Sequence, residues 1–414
     1  MNTWSISLSG ISTVLSLELK QRIRSKKTFI ALGVWFVFMG GITWLISQFF
    51  DVERSISGGE PQLSRWLFAM ITMFVMGMCL LVAPVFSASS IVSDREHGVL
   101  ATLQATKLSA VEIAAGKLIS SWLVSLAFVV ATIPYIAYAV WLGGVTLWQV
   151  CVVTMVVFVE VALICTIGLG WSAIASRAII STVFTYLSVA FMTIITLIIF
   201  AAATAMTQTY EQVSDWRLPD SVARRYTAEL NTWFAEQHSD NAAPPAPPLN
   251  ECVWVQRDYA YNVTHTEYTW WLLLLDPFVI VADATPTSSF RYDGMALADD
   301  PLTVIKLAVR STRIGESAGE DRCGTAQWYG DYYVQPRADG TFAIQRYGPH
   351  GSESPSISEA TIIPESPFGG YNIDDPVWPW GMASNLLIAA VFFRLAVKRL
   401  AVPYGVLPTG QRVA

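Results

Sequence analysis

Apolar residues run in long blocks along the first half of this chain, each block ended by a short polar break. The blocks fall at about residues 28–50, 66–91, 118–142, 149–174 and 179–206. A sixth, weaker one covers about 380–398 and turns basic at Arg394, Lys398 and Arg399. The first five exceed the ~20 residues that a helix needs to cross ~30 Å of hydrocarbon. The pattern predicts an all-α polytopic membrane protein with six transmembrane helices. Ahead of them, Ile11, Leu15, Leu19 and Ile23 recur every four residues, and Lys20, Arg22, Arg24, Lys26 and Lys27 gather at the end. Residues 1–27 therefore read as an interfacial elbow helix lying along the membrane surface. The layout that follows is spans one to five over 28–206 with a charged loop at 92–117. A large segment at 207–378, span six at 379–398 and a tail at 399–414 complete it.

The 207–378 segment has a different character. It begins polar, carries the proline-rich stretch 241–248 and then a short apolar run from Trp270 to Ala282. Asp276-Pro277 interrupts that run, leaving each half too short to cross a membrane, so a re-entrant segment over 270–284 is expected. Asp300 is placed to cap a helix opened by Pro301. Residues 332–334 and 341–344, around Ala338-Asp339-Gly340, predict a β-hairpin. Together these make a small mixed α/β domain between spans five and six.

Charge supplies orientation. Thirteen Lys/Arg flank the spans on one side, whereas the short loops of the other hold only Arg54 and Arg65. The positive-inside rule then puts both termini and the 92–117 loop in the cytoplasm and 207–378 outside, as in a multi-pass protein of the cell membrane. The outer segment has 24 Asp/Glu against 11 Lys/Arg, a net of −13. The remaining 8 acids and 15 bases leave +7, placed beside spans, which gives no sign of nucleic-acid binding. With 53% hydrophobic and 14% charged residues, against a usual ~25% charged, the chain is not a string of soluble domains. Cys79, Cys151 and Cys165 fall in spans. Cys252 and Cys323 fall outside, where oxidising conditions permit a disulfide between them.

Sites for chemistry are few. Gly116-Lys117 lacks the upstream glycine of a phosphate-binding loop. His97, His238, His265 and His350 are scattered without metal-ligand spacing, and no Gly-x-Ser-x-Gly elbow occurs. Catalysis within this chain is not expected. Glu160 lies in the middle of span four, where a carboxylate costs at least ~2–3 kcal/mol. It either lines a path through the membrane or bonds to a neighbouring helix.

The charged loop is the strongest signal. Asp94, Arg95 and Glu96 arrive together as span two ends, and Lys117 closes the loop. Val99, Leu100 and Leu103 follow at helical spacing and predict a short amphipathic helix. Such a helix would offer its apolar face to a soluble partner, its acids pairing with that partner or capping the helix start. The pattern Asp94-Arg95-Glu96-x-Gly98-x-Leu100-x-x-Leu103, then Thr106-x-Leu108-Ser109 and Ile113-x-x-Gly116-Lys117, resembles the first intracellular loop of type-2 ABC exporter permeases. Ala83-Pro84 and Ser90-Ile91 fit the same pattern, while Ala101 and Lys107 depart from it. Asp276-Pro277-Phe278 resembles the Asn-Pro-Phe corner of the re-entrant helices of such permeases.

That resemblance implies a permease subunit of an ATP-binding cassette transporter, with export the implied direction and the loop acting as coupling helix. ATP and magnesium would bind a separate ABC ATPase subunit, with no cofactor on this chain. A second permease copy or paralogue would complete a homodimer or heterodimer, surrounded by membrane lipid. Two other classes stay compatible with the residues alone: a receptor or sensor with 207–378 as ligand domain, and a scaffold in an envelope complex. Nothing in the spans selects a substrate.

Overall fold

A computed structural model describes residues 6–23, 26–57, 61–100, 103, 108–212, 214–235, 245–256, 260–286, 291–292, 295–296, 300–315, 323, 327–329, 332–336, 342–346, 362–363 and 375–401. Among these, six helices are long and apolar enough to cross a membrane. They are Thr28–Phe50, Leu63–Glu96, Ala110–Val130, Leu147–Ile174, Ala178–Met206 and Trp378–Leu400. The chain is an all-α polytopic membrane protein, with its few short strands confined to the region between spans five and six.

Span three differs from the hydropathy reading. It begins at Ala110 rather than near 118, because a capping box starts it early. The Ser109 hydroxyl accepts from the Glu112 N–H, and the Glu112 carboxylate accepts from the Ser109 N–H at 2.7 Å. The helix breaks at Ala131–Thr132 and resumes as Ile133–Trp141, with Pro134 in its first turn, where a missing N–H is tolerated. Thr146 and Gln149 form a second capping box that opens span four.

Span four is the hub. It packs most extensively on span six and also meets spans two, three and five. Leu67, Ile71, Met76, Phe128 and Ile164 are wholly buried in the shared core. Spans one and five leave most of their apolar surface outside the bundle. Span five contains a single π turn at Phe191–Ile195.

The N-terminal helix Leu8–Ile23 lies across the start of span three, with Val14 buried and Ile11, Leu15 and Leu19 half-buried against it. Gly116 makes this contact possible. A Cβ there would stand 2.7 Å from the Val14 Cβ and 3.2 Å from the Ile11 carbonyl oxygen.

The segment after span five holds β1 (Gln208–Glu211), β2 (Ser214–Arg217), β3 (Val253–Gln256), β4 (Tyr261–Thr264), β5 (Arg291–Tyr292), β6 (Met295–Ala296), β7 (Gln327–Tyr329), β8 (Tyr332–Pro336), β9 (Phe342–Arg346) and β10 (Ile362–Ile363). They form four small antiparallel sheets, ordered β1-β4, β10-β3-β2, β5-β6 and β7-β8-β9. β8 and β9 pair from Tyr332↔Arg346 to Pro336↔Phe342; the Ala338-Asp339-Gly340 turn lies outside the described residues. Helix Asp220–Ala235 buries Tyr226 and Leu230 against β7 and β8. Burial pushes the Tyr226 hydroxyl well above its ordinary range, and it donates to the Pro245 carbonyl at 2.9 Å. Cys252 and Cys323 are joined by a disulfide, their Cα atoms 6.2 Å apart.

Two short helices, Trp270–Leu275 and Pro277–Ala284, turn at Asp276 without crossing the bundle. The Asp276 carboxylate caps the second by accepting from the Phe278 N–H at 2.8 Å. Ile280, Val281 and Ala282 enter the same core as spans two and four. Asp283, fully enclosed, fixes this turn in place. It pairs with Arg310 of helix Pro301–Ile314 at 2.5 Å and accepts from the Val377 and Trp378 N–H groups at the start of span six. Asp300 caps Pro301–Ile314 by accepting from the Leu302 and Thr303 N–H groups.

The disulfide closes a loop of 71 residues in sequence separation. Replacing both cysteines by serine is expected to lower the stability of this segment by about 4 kcal/mol. Thermal unfolding of the double variant in detergent, followed by near-ultraviolet circular dichroism, checks this, with an unchanged midpoint as the contrary result.

Candidate functional site

The loop after span two opens where that helix is weakest. Span two is continuous to Ser87, with Pro84 in its last turns, then makes a turn at Ala88–Ser89 and resumes as Ser90–Glu96. The turn frees backbone groups, and side chains from other elements take them up. The Phe86 carbonyl accepts from Arg22 at 3.0 Å and from the Ser121 hydroxyl at 3.1 Å. The Ser172 hydroxyl accepts from the N–H groups of Ile91 and Val92 at 2.9 and 3.0 Å. The Ala88 carbonyl accepts from the Ser181 hydroxyl.

The three charges that lead the loop face inward. Lys117 is wholly buried, and its ammonium lies 2.5 Å from an oxygen of Asp94 and 2.5 Å from one of Glu18 on the N-terminal helix. It also donates to the Ser90 carbonyl at 3.0 Å. Arg95, buried as well, donates to the Ala173 and Ala175 carbonyls, both at 3.1 Å, at the end of span four. Those carbonyls have no helical donor, and the guanidinium meets the negative pole of the helix. Glu96 accepts from the Ala178 N–H at 2.9 Å, at the positive pole of span five. Of the two roles open to the acids, pairing with a partner or capping a helix start, Glu96 takes the second at span five, while Asp94 pairs with Lys117 within the chain.

The apolar residues of the loop divide. Leu100 is buried with Ile91, Ile113, Leu169 and Val397, and Leu103 and Leu108 pack half-buried on that cluster. The three-residue face expected for docking is therefore mostly turned into the protein. His97, Gly98 and Val99 form the exposed tip, Val99 with 45% of its surface accessible. Gly98 has φ of +75°, a conformation that any side chain would strain, and it ends the short helix. Thr106 and Lys107 lie outside the described residues.

Glu160 is placed elsewhere, wholly enclosed between spans four and six. It accepts from the Asn385 amide at 3.3 Å, and its other oxygen has no partner among the described residues. Asn385 also approaches the Leu275 carbonyl at 3.5 Å, beside the Asp276 turn. Glu160 thus makes the bond to a neighbouring helix that was one of its two expected roles.

A cleft of about 1290 Å³ lies between spans one, two and five. Trp35, Phe38, Met73, Phe74 and Leu197 are among its walls, as are Asp276, Phe278, Pro301 and Ile305 of the segment between spans five and six.

Residues 12–291 of the 414 match the family model described as ABC-2 family transporter protein. The chain belongs to the ABC-2 transporter family. No curated protein and no solved structure matches it. The matched range of this ABC-2 protein takes in most of the N-terminal helix, spans one to five, the loop and the Asp276 turn. It is a multi-pass membrane protein and a permease subunit of an ABC transporter, a family that works with an ABC ATPase subunit.

Several contributors were not singled out from sequence. Glu18 is the one acid of helix Leu8–Ile23, and Ser109-x-x-Glu112 is a readable capping box. Ser172 and Asn385 carry no such signal.

Removing the buried ammonium leaves two carboxylates facing each other. Lys117→Met is expected to destabilise the protein by about 3–5 kcal/mol. The triple change Lys117→Met, Asp94→Asn and Glu18→Gln is expected to regain most of that loss. Thermal unfolding of both in the same detergent measures it, and equal midpoints for the two variants would contradict the assignment.

Proposed function

We propose that this chain is the membrane subunit of an ABC exporter whose loop at 92–117 receives movement from a separate ATPase subunit. In this reading the charged end of the bundle, with both termini, is cytoplasmic, and the 207–377 segment is extracytoplasmic in the cell membrane. Thirteen basic residues against two support that orientation.

One observation carries the coupling role. The exposed tip His97-Gly98-Val99 is held on a base that is bonded to the N-terminal helix, span three, span four and span five. A push on the tip reaches four helices through buried charges and hydrogen bonds. This suits a lever with two arrangements, one for each state of the ATPase. ATP and magnesium are assigned to the ATPase subunit and no catalytic step to this chain. The cleft between spans one, two and five is assigned as the substrate path, completed by a second permease copy or paralogue.

The tip and the base make different predictions. Val99→Glu, at an exposed position, is expected to leave the thermal midpoint within about 0.5 kcal/mol of the parent. It is expected to cut co-purification of the ATPase subunit from native membranes at least tenfold. Arg95→Ala is expected to lower the thermal midpoint and the co-purification together. An ATPase retained in full by Val99→Glu would remove the docking role from the tip. A chain purified with no ATPase at all would remove the transporter reading.

A further inference from the structure

Glu160 stands midway along helix Leu147–Ile174 and is wholly buried. Among the described residues its hydrogen-bond partner is the Asn385 amide, and no Lys, Arg or His pairs with it. A carboxylate taken out of water needs a positive partner to offset the cost of burial. Asn385, on span six, is wholly buried too. Glu160 Oε1 and Asn385 Oδ1 are both without a partner among the described residues. Oxygens of this kind accept and do not donate. Two unpartnered acceptors on bonded side chains call for a positive ligand.

A third oxygen completes the set. Asn385 Nδ2 stands 3.3 Å from Glu160 Oε2 and 3.5 Å from the Leu275 carbonyl oxygen. Both separations exceed the usual ~2.9 Å of an N–H···O bond. They fit a different geometry. Oxygens held about 2.3–2.5 Å from a hard cation, at right angles to each other, lie roughly 3.3–3.5 Å apart. Half a turn of the Asn385 amide exchanges its nitrogen and its oxygen. The same three positions then carry a carboxylate, an amide and a carbonyl oxygen. Leu275 is the last residue of the short helix Trp270–Leu275, so its carbonyl lies at that helix's negative pole. Carbonyls at the ends of broken helices hold alkali cations inside membranes.

Charge and ligand type select the ion. One uncompensated carboxylate matches one positive charge. Asp276, the residue after Leu275, is also buried, but its carboxylate accepts from the Phe278 N–H as a helix cap. Among the described residues no group of three or more His, Cys, Asp or Glu could hold a metal ion, and the oxygens gathered here suit a hard cation rather than a transition metal. The spacings are too short for the larger potassium ion. We propose that Glu160, Asn385 and the Leu275 carbonyl form a binding site for one sodium-sized monovalent cation. The ion joins span four, span six and the Asp276 turn. Because the site is enclosed, the ion leaves only when these three elements part. No step of this involves an ATPase, so the site stands or falls separately from the permease reading.

The test uses sodium itself. The full chain would be purified in detergent with choline chloride, and its thermal midpoint followed as sodium chloride replaces choline at constant ionic strength. The midpoint is expected to rise by a few degrees and to saturate, with a smaller rise in potassium. Glu160→Gln keeps the size of the side chain and removes the charge, and is expected to abolish the response to sodium. Radiolabelled sodium is expected to bind the parent saturably at one ion per chain, a readout that does not require the variant to fold. Equal midpoints in sodium and choline, or no saturable binding to the parent, would overturn the site. A sodium response retained in Glu160→Gln would place the ion elsewhere and overturn it as well. A parent that ignores sodium and behaves like Glu160→Gln would assign the positive charge to a proton and defeat the sodium reading. A rise with calcium and none with sodium would defeat the monovalent assignment.

Discussion

An ammonium group without water needs its counter-charges held in place, and Lys117 is such a group. The penalty for burying a cation is several kcal/mol, offset only while both Asp94 and Glu18 stay within contact. That requirement fixes the N-terminal helix against span three and fixes the start of the loop beneath span two. Gly116, one residue earlier, lets the helix come close enough for Glu18 to reach. Once these three elements are joined, Arg95 and Glu96 fall opposite the facing ends of spans four and five. The whole charged end of the bundle is thus organised from one buried side chain.

The two halves of the membrane region are built on opposite principles. The charged end fills its interior with directional bonds, each of which specifies one arrangement. The cleft between spans one, two and five is lined mainly by aliphatic, aromatic and thioether side chains, whose contacts are non-directional and scale with apolar area. Glu160 and Asn385 make a polar contact that ties span four to span six next to the Asp276 turn.

The sequence made the spans legible because hydrocarbon thickness sets a length that composition alone reveals. The five strong blocks and the weak sixth all correspond to helices, the sixth helix beginning at Trp378. The start of span three was misread because hydropathy averages over Lys117 and the polar turn before it, whereas the capping box acts through two single residues. The loop was legible as a motif but not in its chemistry. A period of 3.6 tells which residues share a face, and it cannot tell whether that face meets solvent, a partner or the protein's own core. Leu100 went to the core and Val99 to the surface although they are neighbours. The cleft was invisible for a different reason, since it depends on which walls three distant spans turn toward one another.

Arg95 and Glu96 also make the order of two residues matter as much as their identity. Exchanging them would keep composition, net charge and hydropathy the same. It would set a carboxylate against the bare carbonyls of span four and a guanidinium against the free N–H groups of span five. Each attraction of up to about 2 kcal/mol would become a repulsion. The short 175–177 connection lets adjacent side chains read the two opposite helix poles, so the dipeptide works as a polarity key that fits in one direction only.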